Sequence, residues 1–370
     1  VLEQWTSAGE EQTVAQDLAR EEVLNQEGSD QKSDRQKESE GQKEYAEEAR
    51  CQARGQEVSE SASEEAIAFS LSTDDVVLPF QAEQADVLGR LVKLGPTVDT
   101  ILSRHDYPEP VSRLLGEAVA LTALLGASLK AEGKLILQAS TDGAVDLLVV
   151  DFVVPGSMRA YARFDQAKLA ALDHDDDSAL LGHGHLAMTI DRGVDTERYQ
   201  GVVPLEGCGL TEAAGTYFKQ SEQLPSFLRL AVARHFQASE NGEGTWTWRA
   251  GGLLVQKLTR EGGIVSPKRF EEDWTRAKTL AETVEDHELL DPTLAPERLL
   301  FRLFHEEQVR VYRAIPLSTY CSCSRERVRE MLQRFSGEEL KDMVVDGQLW
   351  VNCEFCNARF EFDPNEFGAT

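Results

Sequence analysis

The sequence predicts an α+β protein: a mixed-sheet core domain with buried helices, a helical linker, and a small C-terminal zinc domain with four cysteine ligands. Three observations predict it. Residues 111–130 are rich in alanine and leucine and apolar over most of a helical surface, as a buried helix must be. The hundred residues that follow switch to the twofold alternation of strands. Near the C-terminus, four of the six cysteines fall into two close pairs, Cys321 with Cys323 and Cys353 with Cys356, which is metal-site spacing. A chain of 370 residues has room for two or three such units.

Residues 1–71 are rich in Glu, Gln, Ser, Lys and Ala, carry a large excess of acid, and nearly lack aromatics after Trp5. Such a composition cannot bury enough apolar surface to offset chain entropy, so a disordered acidic tail is expected, with Cys51 an ordinary exposed thiol. The first residues have neither a basic nor an apolar leader region, and the chain has no uninterrupted apolar run of about 18 residues. These features point to a cytoplasmic protein without a membrane partner, and cysteines at metal spacing fit a reducing compartment. A net charge of −27 argues against a nucleic-acid partner, because phosphate binding depends on clustered Lys and Arg.

The core domain is expected over residues 72–260. Leu88, Arg90, Val92 and Leu94 give a short strand, and Pro96 opens a helix with Val98, Ile101 and Leu102 on one face. After the 111–130 helix, strands at 134–139 and 145–153 flank Thr141-Asp142-Gly143-Ala144, a hairpin signal that assigns a positive φ to Gly143. Met158, Ala160, Ala162 and Phe164 alternate with Arg159, Tyr161 and Arg163, and further strands are read at 185–190 and 198–205. A helix over 210–220 capped by Thr211 precedes strands at 227–236 and 246–258, the last interrupted by Gly251-Gly252.

No enzyme is expected. His183 and His185 have no carboxylate placed to orient them, and Gly207-Cys208-Gly209 lacks the third glycine and the lysine of a phosphate loop. A Gly-x-Ser-x-Gly elbow and a His-Glu-x-x-His pair are both missing from the sequence.

Residues 261–317 read as an amphipathic helical linker. Trp274, Ala277, Leu280, Ala281 and Val284 make one apolar stripe, and Leu299, Leu300, Leu303 and Phe304 make another after Pro296. Such stripes need cover, from the core or from a partner. Residues 318–370 then carry the metal signal: zinc takes four thiolates at about 2.3 Å in a closed structural site, and a segment this short needs such a staple. One Zn²⁺ per chain is expected on Cys321, Cys323, Cys353 and Cys356. The first pair is Cys-Ser-Cys rather than the Cys-x-x-Cys of most zinc ribbons.

Tyr320-Cys321-Ser322-Cys323-Ser324-Arg325-Glu326-Arg327 and Asn352-Cys353-Glu354-Phe355-Cys356 resemble the cysteine pairs of the redox-regulated 33 kDa heat shock protein family of bacterial chaperones. His105-Asp106-Tyr107-Pro108, Glu197-Arg198-Tyr199-Gln200-Gly201, Ser221-Glu222-Gln223-Leu224-Pro225, Gly251-Gly252-Leu253-Leu254 and Phe304-His305-Glu306-Glu307 are similar to that family's segments in the same order. The resemblance covers about residues 72–367. It implies a holdase that is silent when reduced and zinc-bound, and active when oxidised, as a homodimer, on unfolding client proteins. It also implies disulfides Cys321–Cys323 and Cys353–Cys356, loss of zinc, and unfolding of the zinc domain and linker. Trp274, Leu280, Val284, Leu299, Leu303 and Phe304 then become the expected client-binding residues. Two other classes share some features: a zinc-ribbon nucleic-acid module, which should carry a basic stripe, and a thiol-disulfide oxidoreductase using Cys353 and Cys356 alone.

Overall fold

Alternation of buried and exposed side chains builds the first strands: in β1 (Val76–Ala82) Leu78, Phe80 and Ala82 are buried, and β2 (Val87–Leu94) buries nearly all of its second half. The computed structural model describes residues 74–129, 133–172, 177–192, 198–238, 244–258 and 267–368; the expected tail and Cys51 lie outside them. Pro96, with its fixed φ, opens α1 (Pro96–Leu102), and α2 (Glu109–Gly126) follows with Pro110 in its first turn. Next come β3 (Lys134–Thr141), β4 (Val145–Val153), β5 (Ser157–Phe164) and the short α3 (Gln166–Ala171), whose cap is the Asp165 carboxylate accepting from Ala167 and Lys168 amides. Two more strands, β6 (His183–Asp191) and β7 (Tyr199–Glu206), lead to α4 (Leu210–Tyr217) and to the long hairpin of β8 (Ser226–Ala238) and β9 (Gly244–Lys257).

Helices α5 (Pro267–Glu282), α6 (Asp286–Leu290) and α7 (Pro296–Phe304) then run to three short strands, β10 (Val309–Val311), β11 (Ile315–Pro316) and β12 (Ser318–Thr319). The C-terminal segment holds α8 (Arg325–Leu332), α9 (Gly337–Lys341), β13 (Val344–Val345), β14 (Gln348–Asn352) and β15 (Arg359–Phe362).

Two sheets enclose α2. One runs β10-β1-β2-β9-β8 with β11 also paired to β1; the other runs β12-β5-β4-β3-β6-β7; a third, small sheet is β13-β14-β15. All of these pairings are antiparallel except β12 with β5. Helix α2 contacts β9, β8 and β2 on one side and β4, β5 and β3 on the other, so its all-round apolar surface is used up between sheets. The other face of the first sheet is covered by α5–α7, with Leu78, Phe80, Leu91, Leu253 and Val255 against Ala277, Val284, Leu299, Leu303 and Phe304. Phe80 stacks on Phe304 with centroids 5.4 Å apart. The layer order is therefore linker helices, sheet, α2, sheet.

The α+β class is as expected, and several local readings are corrected. Strand β1 was not anticipated, and 309–316, read as part of a helical stretch, forms strands that extend the first sheet at β1. Helix α4 begins after Gly209, so Thr211 sits inside it and is not its cap. Gly143 is not among the glycines with positive φ; a Cβ there would lie 2.4 Å from the Leu180 carbonyl oxygen, so close chain approach is what excludes a side chain. Strand β9 runs unbroken through Gly251-Gly252, pairing Lys93 with Gly251 and Val92 with Gly252. No described helix is long and apolar enough to cross a membrane.

Candidate metal centre

The first cysteine pair follows directly from β12. Ser318 and Thr319 pair with Ser157 and Met158 of β5, and the Tyr320 amide donates to the Met158 carbonyl at 2.8 Å. Cys321 and Cys323 therefore leave the core sheet from a fixed edge. Ser324 caps α8, its hydroxyl accepting from the Arg327 amide, which ends the extended run just past Cys323. The second pair sits in the turn between β14 and β15. The Asn357 amide donates to the Cys353 carbonyl at 2.7 Å, the Cys353 amide to Ala358 at 2.9 Å, and Asn357 takes a left-handed φ of 56°. That tight turn points Cys353 and Cys356 the same way.

The two turns converge. The Sγ atoms of Cys321, Cys323, Cys353 and Cys356 all lie within 4.8 Å of one another. The shorter separations are 3.3 Å between Cys321 and Cys323, 3.6 Å between Cys321 and Cys353, and 3.2 Å between Cys323 and Cys356. A tetrahedron of sulfurs bonded at about 2.3 Å has edges of roughly 3.8 Å, so small outward shifts fit these four atoms to a metal ion. Burial pushes the Cys321 thiol up, but hydrogen bonds from the Cys323 amide and from neighbouring thiols hold it down at about 7. Burial and the adjacent thiols push Cys323 and Cys353 up. Four clustered thiols thus resist full ionisation unless a cation shares the site. Cys208, half-buried beside α4, is not part of this cluster.

Around the cysteines the segment has little else to hold it. Its fully buried apolar residues are Leu332, Leu340, Leu349 and Phe362, with Met331, Phe335 and Phe360 packed around them. A core of four buried side chains is too small to stabilise a fold alone.

The two residues between Cys353 and Cys356 face the core. The Phe355 ring lies under the Arg159 guanidinium at 3.9 Å and meets Tyr161 edge-on at 6.4 Å. Arg159 in turn donates to Ser322 Oγ at 3.1 Å and to Asp151 at 2.6 Å, so one side chain touches both cysteine turns and the core. Asn357 Nδ2 donates to the Arg104 carbonyl at 3.0 Å, and His105 stacks near Tyr107 and Tyr161 at the same seam. Burial pushes the Glu354 carboxyl up, the Arg163 charge opposing it, and burial pushes the His105 imidazole down. The sequence marks all four cysteines but gives this seam no role: Ser322, Glu354 and Phe355 stand inside the cysteine motifs and His105-Asp106-Tyr107-Pro108 among the family-like segments.

The residues expected to bind clients are covered here. Val284, Leu299, Leu303 and Phe304 are buried, and Trp274 and Leu280 are half-buried against the same cluster.

The family model described as Hsp33 protein matches residues 75–363. The chain belongs to the Hsp33 family. Among its curated Hsp33 relatives, the 33 kDa chaperonin of Caulobacter vibrioides (strain NA1000 / CB15N) is 46% identical over 296 residues, 79% of this chain and 95% of that protein. The 33 kDa chaperonin of Pseudomonas aeruginosa (strain UCBPP-PA14) is 37% identical over 298 residues, covering 80% and 94%. The crystal structure of the Thermotoga maritima Hsp33 homologue superposes with a TM-score of 0.62 at 22% identity, covering 80% of this chain and 97% of that one, which shows a shared fold.

Proposed function

We propose that this chain is a redox-regulated holdase of the cytoplasm: silent when its four cysteines are reduced and hold Zn²⁺, active on unfolding client proteins when they are oxidised. The observation that carries the reading is the convergence of four thiols in a segment whose own core is four residues, on turns that dock to the core through Arg159 and Phe355. When bound, zinc supplies the charge that lets four thiolates share one site, and structural sites of this kind contribute about 10–16 kcal/mol to folding. The division into a 72–260 core, a 261–317 linker and a 318–370 redox domain belongs to the same proposal.

The switch is a two-electron oxidation per pair. A thiolate attacks peroxide, hydroxide leaves, and the sulfur becomes a sulfenic acid; the paired thiol attacks that sulfur and the oxygen departs as water. Each disulfide, Cys321–Cys323 and Cys353–Cys356, forms as one peroxide is reduced to two waters. Disulfide sulfurs no longer serve as thiolate ligands, so the segment loses its staple and unfolds. The Phe355 seam goes with it. In this scheme helices α5–α7 come away from the first sheet in the same event, and Trp274, Leu280, Val284, Leu299, Leu303 and Phe304 become available to the exposed apolar residues of a client. Two oxidised chains pair as a homodimer, and neither nucleic acid nor membrane enters the scheme.

The test is suppression of aggregation of a thermally unfolding protein by the reduced and by the peroxide-treated form, with zinc measured in both. The expected result is one zinc per chain and no suppression when reduced, and zinc loss with suppression when oxidised. Cys321→Ser or Cys356→Ser should weaken zinc binding. Equal suppression by both forms, or no zinc in carefully reduced protein, overturns the reading.

A further inference from the structure

The linker is held to the first sheet by more than apolar contact. Lys93 on β2 is completely buried, 0% exposed, on the sheet face that also carries Phe80, Leu91 and Leu253. Its ammonium donates to backbone carbonyls alone: Asp291 at 2.5 Å, Leu294 at 2.6 Å and Glu288 at 3.5 Å. Beside it on β9, Arg249, 5% exposed, donates from Nε to the Leu290 carbonyl at 2.6 Å while its other nitrogens pair with Asp74. Four carbonyls at and just beyond the C-terminal end of α6 are thus received by two cations of the core. That is the end where unpaired carbonyls and the helix dipole concentrate negative potential.

The acidic side chains nearby are engaged elsewhere. The Asp291 carboxylate accepts from the Thr293 amide and hydroxyl, both at 2.7 Å, and Glu288 pairs with Arg302 at 2.5 Å. The backbone, not a carboxylate, is therefore what Lys93 binds. Gly251, opposite Lys93 in the ladder, makes the approach possible: a Cβ there would stand 2.6 Å from the Leu289 carbonyl oxygen and 2.9 Å from Leu289 Cβ.

We propose that Lys93 and Arg249 form a receptor site for the carbonyl end of a short helix, occupied in this structure by the chain's own 288–294 turn, and that this site latches the linker to the core. Apolar stripes can slide or repack on an apolar sheet. A buried ammonium seated in three carbonyls has one solution, so it fixes the register of the linker. When α6 leaves, both cations and all four carbonyls reach water together, so release is favoured as a unit. That role in activation rests on the functional reading above, whereas the latch itself does not.

Reduced, zinc-loaded, full-length Lys93→Met keeps the volume of the side chain and removes its donors, stranding the carbonyls. Hydrogen exchange should then be at least about tenfold faster across 286–294, since bonds to a charged donor are worth that much or more. Protection in α2 and the zinc content should be unchanged. The latch is overturned if 286–294 stays as protected as in the wild type, or if α2 loses protection in parallel, which would make Lys93 a residue of global stability. Lys93→Gln, which keeps amide donors, should fall between the two and decides the matter should Lys93→Met not fold. Aggregation suppression is read on the same samples. A loosened linker with suppression still off would leave the latch standing and sink linker unmasking as the route to activity.

Discussion

Phe355 is the residue through which the cysteine cluster meets the core: its ring is held by Arg159 and Tyr161 while the cysteines on either side face the cluster. Removing the ring should separate docking from metal binding. Phe355→Ala is expected to keep one zinc per chain and to cost about 1–2 kcal/mol of docking, the worth of a partly desolvated cation–π contact. Faster exchange of the Tyr320 amide, which is bonded to Met158, is the readout; unchanged exchange there would show that the seam carries no energy. Lys93 makes a second prediction. Burial, with Arg249 nearby, lowers its pKa to about 8, against the favourable charges of Asp74 and Asp291. Undocked, it should titrate near the ordinary value of about 10.4. Between these values the undocked state binds the extra proton, so docking strengthens as pH rises from about 8 to 10.4, and below 8 the Lys93 proton adds no pH dependence. The stability gap between the wild type and Lys93→Met should widen in favour of the wild type from pH 7.5 to 9.5; a flat gap contradicts it.

Among elements, the cysteine segment makes the firmest prediction, because α8, α9 and β13–β15 share a core of four buried residues. Chelating the metal from reduced protein should bring hydrogen exchange across 321–367 close to that of an unfolded chain while α2 stays protected. After peroxide, each cysteine pair should appear as an internal disulfide of its own tryptic peptide, since Arg325, Lys341 and Arg359 flank the pairs; a peptide linking Cys323 to Cys356, which lie 3.2 Å apart, would refute the pairing. The cysteines were legible in the sequence because chelating turns are local, and the stripes of α5 and α7 because helical spacing is local too. Strands β10–β12, two or three residues each, carry no period of their own and exist only because β1 and β5 present open edges. Gly143 and Gly251 looked like a turn and a strand break, yet both mark places where distant backbone comes close, something no single stretch records. Arg159 read as the outward member of an alternating strand. Its role appears only when Ser322 and Phe355 arrive from about 160 to 200 residues away.

For the whole molecule, the family match begins at residue 75, leaving the acidic N-terminal stretch outside it. Deleting residues 1–71 is therefore expected to leave zinc binding and the thermal midpoint unchanged; a large fall in the midpoint would show that the stretch is integral to the fold. A final consequence comes from β10–β12. The linker is pinned at both ends, by β9 through Lys257 on one side and by Val309–Val311, Ile315–Pro316 and Ser318–Thr319 on the other. Once undocked it is a closed loop of about fifty residues, not a free arm, and fully extended it could reach out and back no further than about 85 Å. Its own helices remain tethered beside the sheet they left, at an effective concentration on the order of millimolar. Under the proposed holdase reading, any chain that binds the uncovered sheet has to outcompete that tethered rival, which selects strongly exposed apolar surface over weakly apolar native surface.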